Sequence, residues 1–563
     1  MKLIPMKLKL FIMIIVLVNA GIIFPQVENI PADHPVYSFL KEMQVKGILK
    51  NYSDVVLPLS RKQVINDLKQ IENNFGKLDE TDKEFLIRME EKICVSFKNR
   101  KNYVNIFENF PQSFEQNIIS NSQKHLYSYG DSLVSFFIDP VLEGKYIYSS
   151  LYNNNSSLLN FGGTIRGSYN NWLGFYLQGT NGNEFGSRNV AELDKRVEQS
   201  YTFNQTKLNY FDETKGYIRL QKGIVDLQLG RERILWGNGY INRTILSNNP
   251  QMFDFIRFDI AYKKFSYNFL HGWLVQKPIV QHIDSLIGDV KFKSSKYVAV
   301  SRFGYQANSS LSFGLTQMII YSDRPFELAY LNPFLFWESA QRSLNDLDNS
   351  FLAFDGRYLI ADGLEFSSSI IFDDINFSYL FKGEWARSNN GEEWQTGVML
   401  TSPILPNDMV FKLEYMQARP YIFSHPGIGE ALTYTNNGYL LGSDMRPNST
   451  RLSTEISYRI SSRSLIDILY SHTLHGNNVY DSNGNLITNY GGSEFNNFSF
   501  YASDYSYLLD GIRELYDNVN LNFQYEFGYG YYLNFNYEFR RSKILGNEVH
   551  ENILWTSFTV NFE

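Results

Sequence analysis

A run of strict alternation near the C-terminus constrains this chain more than any other feature. Val519, Leu521, Phe523, Tyr525 and Phe527 are apolar, and Asn520, Asn522, Gln524 and Glu526 between them are polar. After Gly528-Tyr529-Gly530 the pattern returns, with Leu533, Phe535, Tyr537 and Phe539 set against Asn534, Asn536, Glu538 and Arg540. Successive strand residues point to opposite faces, so each run is a strand with one aromatic face and one wettable face. Two architectures use such strands: a sandwich sheet with one solvated face, and a transmembrane barrel with lipid outside and a polar lumen inside.

The other end of the chain favours the barrel. Lys2, Lys7 and Lys9 precede an apolar run from Leu10 to Val18, and Val18-Asn19-Ala20 is a small-residue cleavage site. This is the pattern of a secretory signal peptide over residues 1–20. No Cys stands directly after it, so a lipid anchor is not expected. Without the three leader lysines the formal net charge of -7 becomes -10, which argues against nucleic acid as a partner. A single cysteine, Cys94, forbids an internal disulfide. Aromatic residues make up 16% of the chain, with 39 Tyr and 44 Phe against 7 Trp. An exported, aromatic-rich chain with no apolar stretch long enough for a spanning helix fits an outer-membrane barrel.

Residues 21–110 read as a small helical, periplasmic domain. Pro35 suits a first helical turn, and Val36, Phe39, Leu40 and Met43 share a face before Gly47. Ser60 with Gln63 and Thr81 with Glu84 form two expected capping boxes, followed by the stripes Val64, Leu68, Ile71 and Phe85, Met89, Ile93. Three short helices of this kind must pack on each other or on something larger, and Cys94 is expected to join them. Residues 111–563 read as the barrel, a mainly β, antiparallel fold of about 18 strands. Strands are expected near 162–169, 173–180 and 216–221, among others. Short connections alternate with long ones at 181–215, 233–256, 275–296, 322–350, 373–393, 419–450, 475–516 and 542–552, with a shorter one at 152–161. Barrels alternate in this way, whereas a sandwich has no reason to.

The densest unusual text is G-R-E-R-I-L-W-G-N-G-Y-I-N-R-T-I-L-S-N-N-P, from Gly230 to Pro250. Trp236, Asn238, Tyr240, Arg243, Asn248, Asn249 and Arg257 could form a glycan site, with rings on sugar faces and Arg or Asn on hydroxyls and carboxylates. The competing reading is a loop folded into the lumen, its charges paired with wall carboxylates. Trp337, Trp385, Tyr421, Tyr434 and Tyr439 are further loop aromatics, and Arg342, Arg387, Arg419 and Arg446 could meet an acidic glycan; interface belt, loop packing and ordinary ion pairs compete for all of them. The eight histidines are scattered, with no H-E-x-x-H, G-x-S-x-G or Walker text. Neither an enzyme, a metal nor a cofactor is expected.

The text W-G-x-G followed by I-L-S-N-N resembles the Wzi family of capsule assembly proteins. Asn332-Pro333, the Arg357 strand, Leu441-Gly442 and Pro447-Asn448 are similar to further parts of that family. Asn238 stands where the family usually has proline, and Gly442–Asn448 keeps only the ends of its motif. Pro35–Leu68 resembles the helical domain of Bacteroidetes-type members and, locally, S-layer-homology modules. The resemblance implies an 18-stranded barrel closed at its periplasmic end by the helical domain. It also implies a non-enzymatic role in binding capsular or other surface polysaccharide. The expected partners are that polymer and outer-membrane lipid, with the barrel monomeric. A diffusion channel and a motility or adhesion component are the alternatives.

Overall fold

The computed structural model describes residues 26–94 and 103–562, apart from 201, 204–205, 208, 277–278, 285–287, 293–294, 333, 346–347, 374–381, 384–390, 427–428 and 499–503. The expected leader lies outside the described residues.

Three helices form the N-terminal region: α1 (Val36–Val45), α2 (Arg61–Glu72) and α3 (Glu80–Ile93). Their apolar stripes meet in one core that includes Phe39, Leu40, Met43, Val64, Leu68, Ile71, Leu86 and Met89, with Cys94 packed at its edge. The Ser60 hydroxyl accepts the Gln63 N–H at 3.2 Å, as the capping box requires. The second expected cap is displaced. Asp79, not Thr81, caps α3 by accepting the Asp82 N–H at 2.8 Å. An aspartate is the stronger N-cap, so the helix starts at Glu80 and takes Thr81 into its first turn.

Eighteen antiparallel strands close the barrel: β1 (Val134–Ser149), β2 (Asn154–Tyr169), β3 (Leu173–Gly186), β4 (Tyr210–Lys222), β5 (Val225–Arg231), β6 (Asp254–Tyr262), β7 (Phe265–Leu274), β8 (Lys296–Gln306), β9 (Leu311–Ser322), β10 (Asn349–Ala361), β11 (Leu364–Asp373), β12 (Gly391–Leu400), β13 (Met409–Ala418), β14 (Ser449–Ser461), β15 (Ser464–Asn477), β16 (Ile512–Gly528), β17 (Tyr531–Ile544) and β18 (Asn547–Asn561). β18 pairs with β1 from Ile553↔Ser149 to Asn561↔Val141, which leaves no free edge in the ring. Tyr127–Gly130 continues that edge by pairing with β1 beyond the end of β18.

Turns and long loops alternate between the two ends, called here the turn end and the loop end. Two expected loops are corrected. Residues 542–552 are strand except for a tight turn at Leu545-Gly546, with φ of 50° and 84°. Positive φ at both central residues suits the twist of a hairpin, and glycine at the second makes it accessible. Residues 154–161 likewise belong to β2, and its neighbours β3 and β4 run beyond the expected limits. In all three the extra length contains a polar run, such as Asn154-Asn155-Ser156-Ser157 in β2, which hides it from a hydrophobicity pattern. The loop expected at 373–393 falls largely outside the described residues.

The outer wall carries Phe303, Phe313, Leu315, Phe354, Leu521, Tyr525, Phe535 and Tyr537, all exposed, as a lipid-facing belt requires. Among the described residues no helix is long and apolar enough to cross a membrane.

The helical region sits inside the turn end and is clamped to the wall by charge pairs on several sides. Arg459 of β14 reaches Glu42 at 2.7 Å and Asp82 at 2.9 Å. Lys92 and Arg88 share Glu526 of β16, each at 2.7 Å. Lys41 pairs with Glu365 of β11, and Glu28 with Arg166 of β2 at 3.2 Å. Asn29 donates its N–H to the Tyr217 hydroxyl at 2.7 Å.

Candidate functional site

The 232–253 connection turns into the lumen rather than out of it. Leu235 and Trp236 pair antiparallel with Leu57 and Val56 of the helical region, and Trp236 and Leu246 exchange N–H···O bonds of 2.8 and 3.1 Å. This makes a small hairpin whose backbone needs its glycines. Gly237 has φ 121°, and a Cβ on Gly239 would lie within 1.7 Å of the Asn242 carbonyl oxygen. Trp236 is 0% exposed and packs with Ile245, Leu246, Tyr434, Leu441 and the inward face of β8 and β9.

The tip of this loop is held by ionic and polar contacts. Glu414 of β13 accepts the N–H groups of Tyr240, Ile241 and Asn242 at 2.9, 3.2 and 3.0 Å. The Tyr240 hydroxyl donates to Glu365 at 2.9 Å. Asn238 donates to the Gly356 carbonyl at 2.8 Å and accepts from Arg357 at 3.0 Å. Asp54 of the helical region lies between Arg357 at 2.7 Å and Arg243 at 2.9 Å. Burial alone would raise the Asp54 carboxyl; Arg357 and Arg243 outweigh it and hold the group well below the usual carboxylate range. One carboxylate therefore joins the helices, the loop and the wall.

Several candidates take the positions of the competing reading, inside the lumen, packed within a loop or held in ion pairs. Trp236, Asn238 and Arg257 are buried inside the barrel, with Arg257 paired to Asp259 at 2.7 Å and lying 5.9 Å from the Trp236 ring centroid. Tyr421 and Tyr434 are buried as well. Trp337 lies on the outer wall and not at the loop end, buried against Phe269. Arg342, on the same external segment, pairs with Glu338 at 2.7 Å. Arg446 donates to the Gly492 carbonyl at 3.0 Å. Trp385 and Arg387 lie outside the described residues.

Asn248, Asn249 and Tyr439 remain grouped and reachable. Lys195, on the inward-folded 187–200 stretch, donates to Asn249 Oδ1 at 3.3 Å, and Asn249 donates to the Leu440 carbonyl at 3.0 Å. Burial, and then the neighbouring Glu198, push the Tyr439 hydroxyl up to about 12. Lys195, Asn248 and Asn249 border a chamber of about 1060 Å³.

That chamber occupies the half of the lumen which the helices and loops leave open. One part of its wall is Asn520, Asn522, Gln524, Asn534, Asn536 and Asn561, and charged residues such as Lys92, Lys412, Glu455, Arg463 and Asp467 line other parts. A recess of about 380 Å³ shares Asn520, Asn534 and Asn536 and adds Trp555, Ser557 and Glu538. Asn536 donates to Asn520 Oδ1 at 2.9 Å, and Asn534 to the Ser557 hydroxyl at 3.1 Å. Several of the charged lining groups pair with one another, as in Lys412–Glu455 at 2.6 Å. Asn520, Asn522 and Glu538, on the wettable face of the C-terminal hairpin, border this open space. Rows of amides offer both donors and acceptors without net charge, which suits a ligand made of hydroxyls. The volume sits at the upper end of the roughly 300–1,000 Å³ usual for ligand pockets. Sequence reasoning missed Asp54 and Glu414, whose partners lie far away along the chain.

The likeness to known proteins follows from this geometry. Escherichia coli Wzi, described as an outer-membrane protein involved in group 1 capsule assembly and a carbohydrate-binding β-barrel, is similar over 95% of this chain and 99% of its own. The TM-score is 0.57 at 12% identity. Pseudomonas aeruginosa OprD covers 75% of this chain and 94% of its own at 11% identity, with a TM-score of 0.41. No curated protein sequence matches the chain. The family model described as capsule assembly protein Wzi matches residues 153–544, from the first barrel hairpin to the end of β17. With that span covering most of the chain and the barrel closed at eighteen strands, the chain belongs to the Wzi family of capsule assembly proteins.

Proposed function

We propose that this protein is an outer-membrane barrel that binds or anchors capsular or related surface polysaccharide, without catalysing a reaction on it. The observation that carries the reading is the amide-lined chamber beneath the Lys195, Asn248 and Asn249 rim. A polymer of hydroxyls meets Asn side chains that can donate and accept in any register along the strands. Tyr439 and Asn248 at the loop end extend the same surface, and Tyr240 and Arg243 face the chamber from the inward loop. Each contact is weak, and a repeating polymer adds them through effective concentration. The helical region stands at the periplasmic end, consistent with export by a cleaved leader and with a barrel that is complete as a monomer.

The test is binding of the purified protein, in detergent, to polysaccharide from its own cells. Asn536→Leu together with Asn520→Leu removes the central amide pair. At ~1 kcal/mol per lost hydrogen bond the affinity falls roughly tenfold or more. Binding unchanged in this double variant and in Asn248→Ala refutes the site. The same open half-lumen favours one second reading, a diffusion pathway. Stable ohmic conductance in planar bilayers, with no affinity for the polymer, would replace the binding role by transport.

A further inference from the structure

The 323–348 connection leaves the loop end and folds back down the outside of the barrel. Two short helices, α4 (Leu328–Leu331) and α5 (Trp337–Leu344), lie in it. Residue parity fixes the face. On β7, β8 and β9 the outward side is marked by the exposed Phe265, Phe303 and Phe313, and Phe269, Tyr297, Ala299, Ile319 and Tyr321 share that side. Those five are buried nonetheless, in one cluster with Tyr330, Trp337 and Ala340 of the 323–348 segment. Hydrogen bonds fasten it there: Trp337 N–H to Gln317 Oε1 at 3.2 Å, and Gln317 Nε2 to the Leu335 carbonyl at 3.0 Å.

The segment reaches far down the wall. Phe334 stacks on Tyr267 with ring centroids 6.3 Å apart, and Tyr267 lies only two residues from the turn end of β7. At about 3.3 Å per residue and a tilt of about 40°, seven strand residues below Leu274 correspond to roughly 18 Å of descent within an apolar band roughly 25 Å tall. From Phe326 to Phe336 the side the segment turns away from the barrel is apolar too, whereas α5 turns Ser339, Arg342 and Ser343 outward. Phe334 is 88% exposed, and Phe326, Leu328 and Phe336 are exposed beside it. In water this patch would be costly. Its continuity with Phe303, Phe313 and Leu315 on the bare wall identifies what covers it.

We propose that the described residues between 323 and 345 form an apron against the bilayer, with Phe326, Leu328, Phe334 and Phe336 bound among lipid acyl chains. The barrel thus meets lipid on this side through a packed loop and a short helix in place of strands. The inference goes beyond glycan binding and needs only that the barrel lies in a membrane.

Spin labels at single cysteines in liposome-reconstituted protein test it. In a Cys94→Ser background, labels are placed at Phe334→Cys, Phe336→Cys, Phe303→Cys on the bare wall and Ser482→Cys in an exposed turn. Heat-modifiable gel mobility confirms folding of each variant. The apron labels should match Phe303→Cys, with an oxygen-to-nickel-chelate accessibility ratio several-fold above that of Ser482→Cys. Apron labels that read as water while Phe303→Cys reads as lipid overturn the apron alone; so do labels shielded from both reagents, which would mean a protein neighbour covers it. A water-like Phe303→Cys would instead overturn the membrane barrel itself. Phe334→Trp, quenched by brominated lipid, repeats the test without cysteine.

Discussion

Replacing Asp54 by alanine should release the helical region from the wall without opening the barrel. Asp54 is the carboxylate between Arg357 and Arg243. Removing one partner of a buried pair typically costs about 3–5 kcal/mol, because the remaining charge stays buried. Here Arg357 keeps Asn238 at 3.0 Å and Glu365 at 3.4 Å, and Arg243 retains the Gly237 carbonyl, so the lower end applies. About 3 kcal/mol corresponds to roughly a hundredfold larger population of the detached state. Hydrogen exchange reads that population directly. Amides of α1, α2 and α3 should lose about two orders of magnitude of protection at neutral pH, while β15 to β18 amides keep theirs. The effect has a defined pH dependence. The Asp54 carboxyl is held down in the folded state, so its stabilisation is present above the ordinary aspartate value near 4 and is lost as pH falls below it. Wild type and Asp54→Ala should therefore converge in acid. Equal protection of the helices in the two proteins at pH 7 would refute the clamp.

Two further outcomes follow from buried groups. Trp236→Ala should cost about 3–5 kcal/mol through the cavity it leaves, seen as protease cleavage within 232–253 in a barrel that still migrates as folded. Asp67 on α2 is buried, and burial pushes its carboxyl up to about 7. The folded state then holds the proton more tightly than the unfolded one, so stability is fullest below about pH 4 and declines up to about 7 at no more than about 1.4 kcal/mol per unit. Asp67→Asn should flatten that decline; an unchanged pH profile of helix protection would sink it.

The barrel was legible because its signal is local. Alternation, turn residues and the sequence of short and long connections are each read within ten or so residues, and the Val519–Phe539 hairpin lies where they place it. The direction a loop takes is not local. W-G-N-G and S-N-N-P state that the chain turns tightly, but whether the hairpin faces water or the lumen depends on Val56, Glu414 and Arg357, all distant in sequence. Trp337 shows the same limit. Its Trp-x-x-Ala stripe marks one buried helix face, yet nothing beside it says that the surface it meets is the outside of β7 and β9.

One signal for the inward loops was nevertheless present in the strands. Around most of the ring the lumen-facing residues are polar, as in Asn520, Asn522, Asn534 and Asn536. On β8, β9 and β10 they are Val298, Val300, Met318, Ile320, Phe351 and Ala353. Runs such as Tyr297-Val298-Ala299-Val300 and Met318-Ile319-Ile320-Tyr321 have therefore lost their alternation. A strand apolar on both sides must be covered on both sides. Lipid or an apron can cover the outside, but only protein can cover the inside, so something must enter the lumen there. Trp236, Ile245, Leu246, Tyr434 and Leu441 are that cover. The opposite wall, on β16 and β17, presents amides that water satisfies, while Ile553 of β18 is covered by Val190, Ala191 and Val197. The division of the lumen into a packed half and an open half is thus set by which inward faces can tolerate water, and the half that can is the one that offers hydrogen bonds to a sugar chain.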